Sequence, residues 1–369
     1  MRDSFAVTVA LLVTTALLGG VAGGAAGAQP TIETGEATEI RGTGIHQTGT
    51  HQTDDAACSF PLETTDATGE TIALEERPER IATTNPSAAQ TLWEIGARDR
   101  VVGVTQYAAY LDGAGGKANV SAAGLGVSVE RVVDTDPDLV LAPNASADQV
   151  EALRNAGLTV YHFPEATNVD DIADKTETVG RLVGECDAAA ETNAEMNDTV
   201  EEVRNRTADL DRPAALYPLG SGFVAAGDTF IDELMTIGGV ENVAAAEHEG
   251  YPQLSAEVVL ELDPELILVN DPDAPIMDEE PYASTTAGRE GNAVVVEVQW
   301  LNQPAPRSVM ETTATIADAV EEYDASSEEG DQSADDGSSG TGEAAPGFGV
   351  VAAVLAVLAT LAVGVTRRP

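Results

Sequence analysis

The strongest constraint on the fold is an internal repeat. The stretch ERVVDTDPDLVLAPN at 130–144 returns in altered form as EVVLELDPELILVND at 257–271. Glu130 and Glu257 lie 127 positions apart, and Pro137 and Pro264 keep the same spacing. Each copy reads as a short acidic helix, an Asp-Pro turn and a continuous apolar run. Such a run, bounded by turn residues, is a strand buried on both faces, which belongs in a parallel sheet covered by helices. A chain carrying this unit twice folds as two related lobes rather than one large sheet.

The surrounding residues extend the pattern. RIATT (80–84), VVGVT (101–105), DLVLAP and TVYHFP read as strands of the first lobe, with helices at SAAQTLWEIGA, SVERVVDTD and ADQVEALRNAG between them. The second lobe has strands at AALYPLG, VENVA, ELILVN and AVVVEV, with helices at FIDELMTIGG and AEVVLEL. The predicted fold class is therefore α/β, with two Rossmann-like lobes at 70–167 and 213–323. Between them, residues 168–212 carry no strand signal, and their apolar positions fall at helical spacing. The part beyond Cys186 is long enough for one helix of about 35 Å. Lobes joined by such a rod should rock slightly rather than close through a wide hinge.

The flanks differ from the body. Residues 1–28 pair Arg2 with an apolar run ending Ala-Gly-Ala, as a secretory leader does. Residues 29–69 read as a flexible linker, in which His46 and His51 are solvated rather than metal-bound. The acidic, Ser/Gly-rich stretch 324–346 reads as a stalk. At 347–369 an uncharged apolar run precedes Arg367 and Arg368, long enough to span a bilayer with the arginines inside. The Pro-Gly-Phe at 346–348 resembles an archaeal surface-sorting signal that is cut and replaced by lipid. Either route places the body on the extracellular face of the membrane. Two readings stand for the only cysteines: a disulfide between Cys58 and Cys186, or two buried thiols. Asn119, Asn144, Asn197 and Asn205 lie in glycosylation sequons.

The formal net charge is −45, and Lys117 and Lys175 are the only lysines. Nucleic acid is excluded as a partner, because a phosphate backbone needs a basic stripe. Self-repulsion of this size opposes compaction unless salt screens it, and at molar salt the Debye length falls to about 3 Å. The chain reads as haloarchaeal, from a salt-loving archaeon.

Three stretches, PERIATTNPSAAQTLWEIGARDRVVGVTQY, ERVVDTDPDLVLAP and YPQLSAEVVLELDPELILVND, resemble the substrate-binding proteins of ATP-driven importers for iron–siderophore complexes, haem and cobalamin. The resemblance covers about residues 70–323 and implies the class III periplasmic-binding-protein fold, with the ligand held between the lobes. It also implies that Glu130 and Glu257 each dock onto arginines of the membrane permease, which works with an ATPase. A two-fold symmetric permease then explains why the unit occurs twice. A second reading is that each glutamate, placed just after a capping serine, merely favours its helix dipole.

Among cobalamin binders of that family, Tyr251-Pro-Gln matches a Trp-Pro-Gln stretch, Tyr107 a cleft tyrosine, and Trp300 with Arg307 a Trp…Pro-Arg segment. Tyr110, Phe223 and Asn85 complete the candidate ligand set. In a chain only 4% aromatic these rings stand out, and broad aromatic faces suit a corrin ring. Positions near Ala123–Gly124 and at Pro143 lack the tryptophans of a well-known bacterial relative, which keeps siderophore and haem open as alternatives. Haem needs an axial Tyr or His, and His162 reads as structural. No spacing suits a bare metal ion or a resident cofactor, and no nucleophile elbow, P-loop or His-based dyad points to an enzyme. The expectation is a corrinoid-capturing importer component. A cell-surface structural protein is the remote alternative.

Overall fold

The computed structural model describes residues 58–335, with the exception of Leu125. The segments read as leader, sorting signal and apolar anchor, together with His46 and His51, lie outside this range. Among the described residues no helix is long and apolar enough to cross a membrane.

The N-terminal lobe begins earlier than expected. Strands β1 (Leu62–Thr65) and β2 (Thr71–Leu74) form an antiparallel hairpin within and beyond the stretch read as linker. Ile72 and Leu74 enter the lobe's core, with Phe60 and Leu62 packed beside them. The buried turn residue Asp66 pairs with Arg154 and accepts from the His162 amide at 2.9 Å. A Thr-rich segment with alternating apolar residues is enough for a hairpin once a lobe offers it a face.

Strand β3 (Ile81–Thr83), helix α1 (Pro86–Glu94), β4 (Val101–Val104), β5 (Ala118–Asn119), α2 (Val129–Asp134), β6 (Leu139–Ala142), α3 (Ala147–Asn155) and β7 (Val160–His162) follow. The five strands β3–β7 make a parallel sheet in the order β5-β4-β3-β6-β7. Alternation along β6 sends Leu139 and Leu141 to one core and Val140 and Ala142 to the other. This explains the unbroken apolar run: both faces of the sheet are covered.

The helix expected beyond Cys186 is present, but it does not join the lobes alone, because a second helix precedes it. Helix α4 (Val169–Val183) ends at Gly184, which adopts left-handed φ 69°, and α5 (Cys186–Thr207) runs back antiparallel. A Cβ at Gly180 would lie 2.5 Å from that of Ala189, so α4 and α5 meet almost backbone to backbone. Both helices serve both lobes. In α4, Val169 and Ile172 belong to the C-terminal core, whereas Val179, Leu182 and Val183 belong to the N-terminal one. In α5, Ala189 joins the N-terminal core, while Met196, Val200 and Val203 join the C-terminal core. Cys58 and Cys186 form a disulfide, with Cα atoms 5.9 Å apart, which ties the chain ahead of the hairpin to the start of α5.

The C-terminal lobe repeats the plan with β8 (Ala214–Leu216), β9 (Pro218–Gly220), β10 (Phe223–Val224), α6 (Phe230–Gly238), β11 (Glu241–Asn242), α7 (Ala256–Leu262), β12 (Leu266–Val269), α8 (Thr286–Glu290), β13 (Ala293–Val295), α9 (Val298–Leu301) and α10 (Pro306–Asp335). Its parallel sheet has the order β11-β8-β12-β13. The run AALYPLG, expected as one strand, divides at Tyr217: Pro218 has no amide to continue the ladder, and β9 pairs with β10 instead. Helix α10 continues to Asp335, into the residues read as a stalk.

The repeat survives in backbone detail. Ser128 and Ser255 cap α2 and α7, accepting from the Arg131 and Val258 amides at 3.4 and 3.3 Å. Asp136 and Asp263 both adopt left-handed φ, 47° and 38°, ahead of the paired prolines. Next, Asp138 accepts from the Arg80 amide and Glu265 from the Ala214 amide, both at 2.9 Å, at the starts of β3 and β8.

Candidate functional site

In open parallel sheets a ligand sits beyond the carboxyl ends of the strands, where the strand order reverses. These switch points lie between β3 and β6 in one lobe and between β8 and β12 in the other. At the first, Asn85 caps α1, accepting from the Ser87 amide at 2.8 Å, while Thr84 donates to the Ser146 hydroxyl at 2.7 Å. At the second, the buried Tyr217 hydroxyl accepts from Asn270 at 3.0 Å and from Asn302 at 3.3 Å. Tyr217, Asn270 and Asn302 were missed in the sequence. The available signal was position: Tyr217 and Asn270 directly follow two apolar strands.

One face of α1 forms the junction between lobes. Ser87, Gln90 and Glu94 project from successive turns. Lys175 of α4 donates to the Ser87 hydroxyl at 3.1 Å and to the Pro304 carbonyl at 2.6 Å. Gln90 donates to the Tyr110 hydroxyl at 3.2 Å and accepts from Ser308 at 3.1 Å. Glu94 pairs with Arg307 at 2.5 Å. Tyr110 meets Trp300 edge-on across the junction, with ring centres 5.4 Å apart, and the Arg307 guanidinium lies 5.9 Å from the Trp300 ring centre.

The candidate ligand residues thus fall into groups. Tyr110, Trp300 and Arg307 are brought together at the junction. Tyr251 packs on the C-terminal core, in the electrostatic reach of Glu165 and Tyr217. Phe223 bridges to Gln253, which aligns β10 with the Tyr251-Pro-Gln segment. Tyr107, in the turn after β4, is 46% exposed, and among the described residues no ring contact ties it to the others. Tyr110, Tyr251, Trp300, Phe223 and Asn85 are all half-buried, each keeping some surface open.

The rings of the junction carry no charge. Burial pushes the Tyr110 phenol up to about 12 and raises Tyr251 as well, so both remain uncharged donors. Burial also raises Glu94, against the pull of Arg307. Arg307, matched with Trp300 as a candidate ligand residue, is engaged by that carboxylate. Burial lowers the Lys175 amine to about 7. His162 is buried, with Nδ1 against the Ala142 carbonyl at 2.9 Å, as a structural histidine. Among the described residues no cluster of His, Cys, Asp or Glu is arranged to hold a metal ion.

Glu130 and Glu257 are both exposed and occupy the same position, two residues after the capping serine of α2 and α7. Each helix runs back from the carboxyl edge of its sheet, so each glutamate stands at that edge.

Comparisons with known proteins agree with this architecture. The family profile described as "Periplasmic binding protein" matches residues 81–297. A cobalamin-binding protein of Halobacterium salinarum is 43% identical over 283 residues, covering 73% of this chain and 76% of that protein. Among solved structures, the periplasmic haem-binding protein RhuT of Roseiflexus sp. RS-1 superposes with a TM-score of 0.59 at 22% identity, covering 66% of this chain and 99% of that one. The periplasmic vitamin B12 binding protein BtuF of Vibrio cholerae gives 0.57 at 22% identity, covering 66% and 97%. These two likenesses speak to the fold.

Proposed function

We propose that this chain, which belongs to the periplasmic binding protein family, is the extracytoplasmic binding component of an ATP-driven importer and captures cobalamin or a related corrinoid. The observation that carries the reading is the aromatic junction. Tyr110 and Trp300 close it from opposite lobes, and the nearby arginine is already paired with Glu94. A ferric siderophore bearing negative charge would need free cations there. A corrin ring, broad and rimmed with amides, needs apolar faces and uncharged hydrogen-bonding groups, which Tyr110, Tyr251 and Asn270 supply. The similarity to the Halobacterium cobalamin-binding protein supports the same ligand.

On this reading the protein binds, orients and releases, and performs no chemistry. Tyr107, Phe223 and Asn85 border the ligand. Glu130 and Glu257 dock onto arginines of the two permease halves through short charge-assisted contacts, which survive the screening of molar salt. The C-terminal apolar segment, or a lipid replacing it, tethers the chain to the outer face of the membrane. Calorimetric titration of the purified chain with cyanocobalamin at molar salt tests the ligand: one-to-one binding at micromolar levels or tighter is expected. No binding of cyanocobalamin, with binding of haemin or a ferric siderophore instead, would replace it with one of those ligands.

A further inference from the structure

Five large apolar side chains are exposed among the described residues: Tyr107, Val133, Leu260, Val295 and Val298. Isolated exposed aliphatics are ordinary. Two of these five, however, hold the same place in the two copies of the repeated unit. Val133 is 40% exposed and Leu260 43%, whereas the preceding residues, Val132 and Val259, are buried at 0% and 2%. The inward position is thus filled by valine in both lobes, and the aliphatic next to it faces out in both. Each follows its glutamate by three residues and precedes an exposed acid, Asp134 or Glu261, by one. The aliphatic lies three residues and the second acid four residues after the glutamate, so both neighbour it on one helix face. Each lobe therefore presents an aliphatic side chain beside a pair of carboxylates.

We infer that Val133 and Leu260 are the apolar half of the surface that meets the permease, each entering an aliphatic hollow beside a cationic group. The inference rests on the docking role proposed for Glu130 and Glu257. The occupant is one partner of two-fold character, because the two patches are the same structural element given twice. Its charge is opposite, because each patch is rimmed by carboxylates. The aliphatic contact has a further reason in a chain of net charge −45 suited to high salt. Screening there shortens the reach of charge attraction to about one contact distance, while apolar burial is left intact.

The test uses the labelled chain and right-side-out membrane vesicles from source cells lacking the chromosomal copy, at molar salt, with cyanocobalamin titration of every variant alongside. Saturable, competable binding to the vesicles is expected, and none to vesicles of the extracted lipids alone. The pair V133S/L260S should weaken vesicle binding about tenfold for each side chain replaced, a typical cost at a well-packed contact. Ligand affinity and thermal unfolding should stay unchanged. The swap V133L/L260V should retain binding. If V133S/L260S binds like the wild type while E130Q/E257Q is impaired, the apolar inference fails and the docking role stands. If neither pair alters binding, or no saturable binding occurs, the docking role falls and takes the inference with it. Equal binding to lipid vesicles would assign the patches to the bilayer and overturn the inference.

Discussion

Lys175 gives the sharpest quantitative test of the lobe junction. It is fully buried in α4, donates to Ser87 and Pro304, and forms no ion pair with any described carboxylate. Burial lowers its amine from 10.5 to about 7. The unfolded chain therefore binds more protons than the folded one between those values, and stability rises with pH across that window. Below pH about 7 both states are protonated and the burial penalty is present in full. Each unit is worth about 1.4 kcal/mol, so the wild type should gain about 3 kcal/mol between pH 7 and about 9.5. Tyr110, raised from 10 to about 12, acts mainly above that range. In Lys175→Met the stem is kept and the titrating group removed, so that gain should vanish. Urea unfolding of both proteins at several pH values and constant molar salt measures it. Parallel pH dependences in the two proteins would refute the reasoning, since Lys175 would then be hydrated or paired in solution.

Three further outcomes follow from the same structure. Replacing Cys58 and Cys186 with serine opens a loop of 128 residues and should cost about 5 kcal/mol by chain entropy, read from the shift in denaturant midpoint. Asp66 is held below the usual carboxylate value of 3.8; its burial acts the other way and is outweighed by bonds from Thr68 and His162 and by Arg154. Its contribution is present above the unfolded value and lost as pH falls through the folded one, so Asp66→Asn should flatten the acid side of a stability–pH curve. Trp300→Ala should weaken cyanocobalamin binding about tenfold or more by calorimetry, with unchanged unfolding; full retention of affinity would remove Trp300 from the site.

The two-lobe plan was legible because the repeat carried its own punctuation. The Ser caps, the Asp-Pro turns and the doubly buried strands each have a local physical cause that a sequence displays. What escaped notice depended on partners distant in sequence. The β1–β2 hairpin looks like linker until the N-terminal lobe supplies a face for Ile72 and Leu74 and Arg154 for Asp66. The break at Gly184 is a single glycine in a segment whose periodicity continues on both sides. The junction of Ser87, Gln90 and Glu94 with residues 300–308 joins positions more than half the chain apart, so only the fold reveals it. Arg307 was legible as a candidate ligand residue, but not as one already claimed by Glu94.

Because α4 and α5 are each shared between two cores, prising the halves apart would tear packed side chains from both at once. A carrier built this way stores no spring that could eject its cargo. The work of unloading has to arrive from outside, through whatever grips the two lobes, and tight capture in dilute surroundings need not be traded against ease of delivery.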